Sequence, residues 1–327
     1  MRAAWYERIG PAAEALRVGE MDVPEPGPGE VLVRVHASGV NPHDVKKRAG
    51  RRAPMAHPRI VPHNDGAGAI EQVGLGVERS RIGERVWLHS AQWQRPFGTA
   101  AEYTSVPADF AWLLAEATTF EEGACLGIPA MTAHRAVFAD GSVYGQTVLV
   151  HGGAGAVGFY AIQFSKHAGA EVIATVSSPE KASVAVAAGA DHVVDYRRED
   201  VTARVKAITR GAGVDRVVDV DFGRNLAKNL EVLKVNGTIA AYASEGDSNP
   251  AIPFYPMMSR GITIRLVLVF NMPAAALTRA ATDICAMLAR RTFRHPAIHR
   301  FPLDKIAAAH EAVESGRLVG KAVVQIP

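Results

Sequence analysis

The segment Val148-Leu-Val-His-Gly-Gly-Ala-Gly-Ala-Val-Gly158 lies near the middle of the chain and decides its fold. Its first residues are apolar and predict a strand that ends in a glycine-rich loop. Residues Val157–Ala168 follow with apolar side chains on one helical face, and Glu171–Val176 predicts a second strand. Because Gly153-Ala-Gly-Ala-Val-Gly158 fits G-x-G-x-x-G between a strand and a helix, the segment predicts a dinucleotide-binding βαβ unit.

The glycines have a physical purpose in such a loop. A tight turn requires a residue that can adopt positive φ, and a pyrophosphate can approach the backbone only where no Cβ intrudes. The amides at the start of the helix then bind the phosphate oxygens. No Lys-Ser/Thr pair follows the last glycine, which argues against a triphosphate loop. The residues predicted to contact the cofactor here are Gly153, Ala154, Gly155, Ala156 and Val157.

The end of the second strand indicates which dinucleotide binds. An acidic residue there would bind the 2′-hydroxyl of NAD, but this chain continues Ser177-Ser178-Pro-Glu-Lys181. Two hydroxyls and a lysine can bind a 2′-phosphate, so we expect NADPH. Ser178 is either a phosphate ligand or only a helix cap, and Glu180 would lie in the first helical turn, where it favours the helix dipole.

The two ends of the chain differ from its middle. Short β segments bounded by glycine or proline dominate the first third, at residues 31–37, 68–73, 85–88 and 99–106. From about Gly145, strands alternate with helices of roughly 10–15 residues, which predicts a parallel sheet. We therefore predict an α/β protein in which a β-barrel-type domain is followed by a Rossmann domain, and a mixed pattern returns from about Leu266.

Composition excludes several classes of protein. The chain has 327 residues, 48% of them hydrophobic and 21% charged, as is typical of a globular protein. Two cysteines, Cys125 and Cys285, are too few for a disulfide framework and suit a reducing cytoplasm. No signal peptide or membrane-spanning apolar run is indicated. The net charge of +3 gives little reason to expect a nucleic-acid partner.

Seven motifs, in this order and spacing, resemble those of the zinc-free quinone oxidoreductases related to zeta-crystallin, in the medium-chain dehydrogenase/reductase superfamily. The resemblance spans the whole chain and implies a GroES-like domain at residues 1–122, an inserted Rossmann domain at 123–265 and a C-terminal return at 266–327 that completes the first domain. The motifs are Val35-His-Ala-Ser-Gly-Val-Asn-Pro-His-Asp44, Asp65-Gly-Ala-Gly-Ala-Ile-Glu-Gln-Val-Gly74, Gly83-Glu-Arg-Val86, Gly98-Thr-Ala-Ala-Glu-Tyr103, Gly127-Ile-Pro-Ala-Met-Thr-Ala-His-Arg-Ala136, His151-Gly-Gly-Ala-Gly-Ala-Val-Gly158 and Gly320-Lys-Ala-Val323.

The resemblance also bears on metal binding. Zinc-dependent relatives carry Cys, His and Cys where this chain has Asn41, Asn64 and Gly127, so we expect no catalytic metal. His43 and His63 lie nearby in sequence, and we expect surface or hydrogen-bonding roles for them. We also expect no catalytic triad and no pair of carboxylates, because reduction of an electron-poor acceptor needs alignment more than a protein acid.

The resemblance implies further site residues. Asn41 and Thr132, the predicted catalytic residues, match positions beside the nicotinamide ribose, and Lys181 and Tyr196 match positions that reach the 2′-phosphate. Other positions in the family line the cofactor groove. Without the resemblance, the apolar residues among them could equally be ordinary core residues. They match Phe222, Tyr242, Ser244, Leu268, Val269 and Phe270.

The expected function is NADPH-dependent quinone reduction. Many relatives have tyrosine where this chain has Lys46, within the basic run Lys46-Lys-Arg-Ala-Gly-Arg-Arg52. We expect this run to be a solvated face, but an anionic acceptor such as a coenzyme A thioester stays open. The alternatives are an enone or 2-enoyl-thioester reductase and a non-catalytic NADPH-binding protein, structural or RNA-associated. The β-prone stretch Ile262–Phe270 matches a region that pairs across a two-fold axis in relatives, so we expect a homodimer.

Overall fold

The computed structural model describes residues 1–52 and 54–327, which form two compact units. The first unit comprises residues 1–128 and 281–327, and the second comprises residues 129–280. The boundaries expected from the sequence and the resemblance lie somewhat earlier in the chain, at 122/123 and 265/266. Within the described residues, none of the helices combines the length and hydropathy that a membrane span requires.

The first unit is built mainly of β-strands. Its elements are β1 (Arg2–Trp5), α1 (Ala12–Ala15), β2 (Arg17–Glu20), β3 (Glu30–Gly39), α2 (Pro42–Arg48), β4 (Asp65–Val73), β5 (Arg85–Leu88), β6 (Tyr103–Pro107), β7 (Ala111–Leu113), α3 (Phe120–Gly123), and, from the C-terminal segment, β14 (Ile298–Pro302), α11 (Ile306–Glu314) and β15 (Lys321–Gln325). The main sheet has the order β14-β15-β3-β4-β5-β7, and β6 also pairs with β3. The predicted strand at 99–106 is shorter than expected, because β6 starts at Tyr103.

The strand register of this sheet brings distant parts of the sequence together. Gly39, the last residue of β3, lies opposite Asp65, the first residue of β4. On the other side of β3, Gly39 lies opposite Val323, so Lys321 at the start of β15 comes level with Asn41. Apolar side chains of β3 such as Val33 and Val35 are fully buried and hold this register, since a slip by one residue would expose them.

The second unit alternates strands and helices. Its elements are α4 (Gly127–Phe138), β8 (Thr147–Val150), α5 (Ala156–His167), β9 (Glu171–Val176), α6 (Pro179–Ala188), β10 (His192–Asp195), α7 (Val201–Ile208), β11 (Val214–Asp219), α8 (Phe222–Val232), β12 (Leu233–Ala241), α9 (Phe254–Met258), β13 (Thr263–Leu266) and α10 (Ala274–Ala289). All the strand pairs are parallel, and the order is β10-β9-β8-β11-β12-β13. This is the order of a Rossmann sheet, with its switch point at β8 and β11, so the predicted doubly wound domain is confirmed.

Local predictions in this unit hold closely, with one exception. Gly169 and Gly189 end α5 and α6 with φ of +82° and +107°, the left-handed conformation expected after a helix. The β-prone stretch Ile262–Phe270 is a strand only in part. It forms β13 only to Leu266, because β12 ends at Ala241 and provides no further partner.

Candidate cofactor and acid-cluster sites

The glycine loop follows β8 at the switch point of the Rossmann sheet. Gly152 has φ of +68°, so the left-handed residue is the glycine before the G-x-G-x-x-G motif. The sequence alone did not indicate which glycine of the loop would take this conformation. Gly153 packs against the sheet, where a Cβ would lie 2.8 Å from that of Ala174. A Cβ on Gly158 would overlap the carbonyl oxygen of Gly152. These glycines therefore let the loop and the helix pack closely.

The start of α5 has the properties of an anion cradle. Gly155 caps the helix without a side-chain hydrogen bond, and the helical residues begin at Ala156. A Cβ on Gly155 would meet only the carbonyl oxygen of Gly152 at 3.3 Å, so the space over the loop is free of packed side chains. The first amides of a helix have no intrahelical acceptor and carry a partial positive charge. The loop fits the diphosphate of a dinucleotide.

The residues predicted for the 2′-phosphate meet at the ends of β9 and β10. Lys181 Nζ donates to Ser177 Oγ at 3.1 Å, and Ser177 is buried. The amide of Tyr196 donates to the carbonyl oxygen of Val176 at 3.0 Å, which holds the half-exposed tyrosine at the same edge. Ser178 Oγ accepts the amide of Lys181 at 3.3 Å and so caps α6, as its alternative reading predicted.

The remaining predicted groove residues in this unit lie after β11, β12 and β13. Phe222 begins α8 and is buried, whereas Ser244 Oγ accepts the amide of Gly223 at 2.9 Å and so supports the start of that helix. Burial raises the pKa of the Tyr242 hydroxyl, so this group stays protonated. The other predicted positions differ in exposure: Leu268 is half-exposed, Val269 is buried, Phe270 is intermediate and Thr132 is buried within α4.

Asn41 is the centre of a buried polar cluster in the first unit. Its Nδ2 donates to Asp65 Oδ2 at 2.7 Å, and its Oδ1 accepts from Lys321 Nζ. Lys321 Nζ also lies 3.5 Å from Asp65 Oδ2. The Asp44 carboxylate accepts a hydrogen bond from the backbone amide of Asn41 at 2.9 Å and another from Nδ2 of Asn64 at 2.9 Å. We call Asn41, Asp44, Asn64, Asp65 and Lys321 the acid cluster.

The acid cluster contains two buried carboxyl groups that the sequence did not bring together. Asp44 and Asp65 are buried, and both hydrogen-bond to Asn41. Burial raises the pKa of Asp65 to about 6, against the opposing effect of Lys321, and burial also raises the pKa of Asp44. Asp44 is placed by the capping box at the start of α2, and Asp65 is the first residue of the interior strand β4. The only sequence signals were therefore Asn41-x-x-Asp44 and the motif that begins at Asp65.

The residues at the three zinc-ligand positions do not fit zinc. The side-chain amide of Asn41 hydrogen-bonds to Asp65 and Lys321. Nδ2 of Asn64 donates to Asp44. At Gly127, the carboxylate of Asp65 fills the space that a Cβ would need. Among residues 1–52 and 54–327, no cluster of three or more His, Cys, Asp or Glu side chains is arranged to hold a metal ion. A lysine ammonium, and not a metal, balances the carboxylates here.

Two further expectations for this unit were partly wrong. His63 is not at the surface: it is fully buried, with Nδ1 2.8 Å from Ser38 Oγ and Nε2 2.9 Å from Nε2 of His310. The basic run is not simply a solvated face, because Arg48 is fully buried with Nη2 2.8 Å from Glu314 of α11. Lys47 Nζ donates to Gln92 Oε1 at 2.7 Å. The charge pattern predicted a solvated face because α11, which covers Arg48, comes from a distant part of the sequence.

The buried histidines predict how stability depends on pH. Burial lowers the pKa of His43 and His89 to about 4, that of His310 to about 3, and that of His63 well below its usual range. These imidazoles bind protons once the chain unfolds, so the free energy of unfolding should fall as the pH drops below ~6.5. The raised carboxyl pKa values act in the opposite direction between about pH 6 and 4, but they involve only two groups.

We expect the free energy of unfolding, measured by urea titration, to decrease from pH 7 to pH 4.5. His89→Phe should reduce this decrease by on the order of 2 kcal/mol, since His89 packs against the ring of Phe110 and a phenyl ring suits the site. Stability that stays level or rises over this range would contradict the prediction.

Comparison with known proteins agrees with both units. Residues 27–116 match the family described as the alcohol dehydrogenase GroES-like domain, and residues 156–284 match the family described as zinc-binding dehydrogenase. Quinone oxidoreductase from Homo sapiens is 30% identical over 314 residues, or 95% of this chain and 93% of that protein. 2-Haloacrylate reductase from a Burkholderia species is 30% identical over 314 residues, with 93% of each chain covered.

Solved structures place the whole chain in the same fold. Quinone oxidoreductase from Escherichia coli, solved with NADPH, superimposes with a TM-score of 0.87 at 25% identity and covers 99% of this chain and 100% of its own. A GroES-like unit joined to a Rossmann unit defines the class of medium-chain dehydrogenases/reductases. Within this class, the chain belongs to the zinc-free quinone oxidoreductase family.

Proposed function

We propose that this protein is an NADPH-dependent quinone oxidoreductase that works without a metal. The observation that carries the proposal is the glycine loop at the Rossmann switch point, with Lys181 and Ser177 at the adjoining strand end where an NAD-dependent enzyme has an acid. The quinone oxidoreductase relatives support the reaction, and the relative solved with NADPH supports the cofactor.

Each part of the site has a defined task in this proposal. The amides of residues 153–157 bind the diphosphate, and Ser177, Lys181 and Tyr196 bind the 2′-phosphate beside the α6 cap at Ser178. Asn41 and Thr132 contact the nicotinamide ribose, while Phe222, Tyr242, Ser244 and Leu268–Phe270 line the cofactor groove. When bound, NADPH supplies a hydride. A quinone is electron-poor and needs alignment more than a Lewis acid, and its proton comes from water.

A panel of acceptors tests this function. NADPH oxidation should be fastest with 1,4-benzoquinone, slower with a simple enone and slowest with crotonyl-CoA. NADPH oxidation that requires crotonyl-CoA would overturn the quinone assignment. NADPH binding without turnover of any acceptor would overturn catalysis as a whole and favour a binding protein.

Reduction of an activated alkene is the second candidate. The 2-haloacrylate reductase relative is named for reduction of such a substrate and matches this chain over a similar length. The engaged Lys47 and the buried Arg48 leave less of the basic run available for a coenzyme A phosphate than the sequence suggested. If the substrate is an activated alkene, we therefore expect a small neutral or monoanionic one and not a coenzyme A thioester.

A homodimer in the cytoplasm completes the proposal. Strand β13 is at the edge of the Rossmann sheet, and exposed apolar side chains lie on it and around it. They include Phe254, Tyr255, Met258 and Leu266. An uncovered edge of this kind promotes pairing between chains. Light scattering at micromolar concentration should give twice the chain mass of 34.8 kDa, and a monomer would contradict the expectation.

Lys181→Ala should identify the cofactor specificity. Loss of a charge-assisted hydrogen bond should lower NADPH affinity roughly tenfold to a hundredfold and leave NADH affinity within about threefold. Lys166→Ala is the control, because Lys166 lies in the last turn of α5 and pairs with Asp191 at 2.8 Å. Equal loss of affinity for both cofactors in Lys181→Ala would contradict a 2′-phosphate contact.

A further inference from the structure

A buried chain of hydrogen bonds links the glycine loop to α8. The amide of Gly152 lies 3.3 Å from Thr175 Oγ1, which lies 3.1 Å from His151 Nδ1. Nε2 of His151 lies 2.7 Å from Asn229 Oδ1, and Nδ2 of Asn229 donates to Asp219 Oδ2 at 2.6 Å. Thr175, His151, Asn229 and Asp219 are all buried.

The donors and acceptors in this chain can be ordered from its two ends. The Asp219 carboxylate accepts, so the amide nitrogen of Asn229 faces it and Asn229 Oδ1 faces His151. Nε2 of His151 must then donate, and Nδ1 faces the Thr175 hydroxyl as an acceptor. The oxygen of that hydroxyl in turn accepts the Gly152 amide. Every link has one direction, so the chain holds the loop in a single arrangement.

Thr175 holds the loop twice. Its side chain accepts the amide of Gly152, and its backbone carbonyl accepts the amide of Gly153 at 2.9 Å. Gly152 is the residue with positive φ, at the point where the strand turns into the diphosphate loop. The Thr175 hydroxyl donates a hydrogen bond to Nδ1 of His151, so His151 fixes the direction of the O–H group and of the oxygen lone pairs that face Gly152.

We propose that His151 and Thr175 are positioning residues for the dinucleotide, and that the chain from Asp219 through Asn229 and His151 holds the glycine loop in the shape that binds a diphosphate. This inference rests on the proposed NADPH function. It predicts that loss of the Thr175 hydroxyl weakens cofactor binding although the hydroxyl need not contact the cofactor. The turnover rate at saturating NADPH should change little.

Calorimetric titration of the protein with NADPH tests the proposal. Thr175→Val keeps the shape but removes the hydroxyl, and we expect the dissociation constant to rise about tenfold, with kcat within about twofold. Thr175→Ser keeps a hydroxyl and should stay within about threefold of the wild type. His151→Phe removes both ring nitrogens and should match Thr175→Val.

Thr238→Val is the matched control, because it makes the same change within β12 of the same sheet. Hydrogen exchange in the protein without cofactor gives a second readout: amides 151–158 should exchange faster in Thr175→Val than in Thr238→Val. If Thr175→Val binds NADPH as tightly as Thr238→Val and exchanges at the same rate, the inference is wrong. If the wild type binds no NADPH, the proposed function itself fails.

Discussion

Replacing Lys321 with methionine is expected to lower the free energy of unfolding by about 3–5 kcal/mol. Lys321 and Asp65 are both buried, and the methionine would leave Asp65 without its nearby cation and Asn41 Oδ1 without a donor. A buried charge that loses its partner is far more costly than an exposed one. Reductase activity should fall as well, since Lys321 and Asp65 orient the amide of Asn41.

Two further variants separate this effect from a general loss of a lysine. Lys305→Met removes an exposed lysine of the same unit and should change stability by no more than about 0.5 kcal/mol. The double variant Asp65→Asn/Lys321→Met removes both charges and should recover about half of the lost stability. Urea titration checks all three. If Lys321→Met is as stable as Lys305→Met, the acid cluster does not depend on the ammonium.

The second large effect is expected for Gly158→Ala. The added methyl would overlap the carbonyl oxygen of Gly152 and lie 3.0 Å from Cα of Gly153. Both contacts are with backbone, so α5 must move away from the loop. We expect a loss of about 1–3 kcal/mol in stability and at least about a hundredfold loss in NADPH affinity.

Gly155→Ala gives the informative comparison. Its added methyl would meet a single carbonyl oxygen at 3.3 Å, and its backbone already has an ordinary φ of −74°. It should therefore change the stability by less than about 1 kcal/mol and still weaken NADPH binding, because the methyl occupies the face that the diphosphate approaches. Thermal unfolding and calorimetry separate these outcomes. Wild-type affinity in Gly158→Ala would show that the loop does not hold the cofactor.

The parts of this protein that sequence predicted well are those that depend on neighbouring residues. The glycine loop, the cap at Ser178 and the helix ends at Gly169 and Gly189 each need only a few adjacent positions. The parallel pairing of the Rossmann strands also follows from the alternation of strands and helices along the chain. Even here one detail escaped prediction, because either Gly152 or Gly153 could have provided the left-handed residue.

The acid cluster could not be predicted in the same way. Asn41 and Lys321 are separated by 280 positions and meet only through the register of β3 with β15. Asp65 joins them through the register of β3 with β4. Similarly, Arg48 looked like one member of a solvated basic run, but α11 from the other end of the chain covers it and pairs it with Glu314.

The acid cluster also gives a physical reason for the substitutions at the zinc-ligand positions. A Cys at position 127 would place its Cβ on the carboxylate of Asp65, and a metal at Asn41 would compete with Lys321 for the same pocket. Lys321 and Asp65 therefore already engage the side-chain amide of Asn41, which leaves it no free group for a metal.

Calorimetric titration of the wild-type protein with NADPH and with NADH tests the central claim most directly. The account predicts that NADPH binds at least about tenfold more tightly, because only its 2′-phosphate can use Lys181 and Ser177. Equal affinity for the two dinucleotides would contradict the assigned specificity. Failure of both to bind would contradict the cofactor role of the glycine loop.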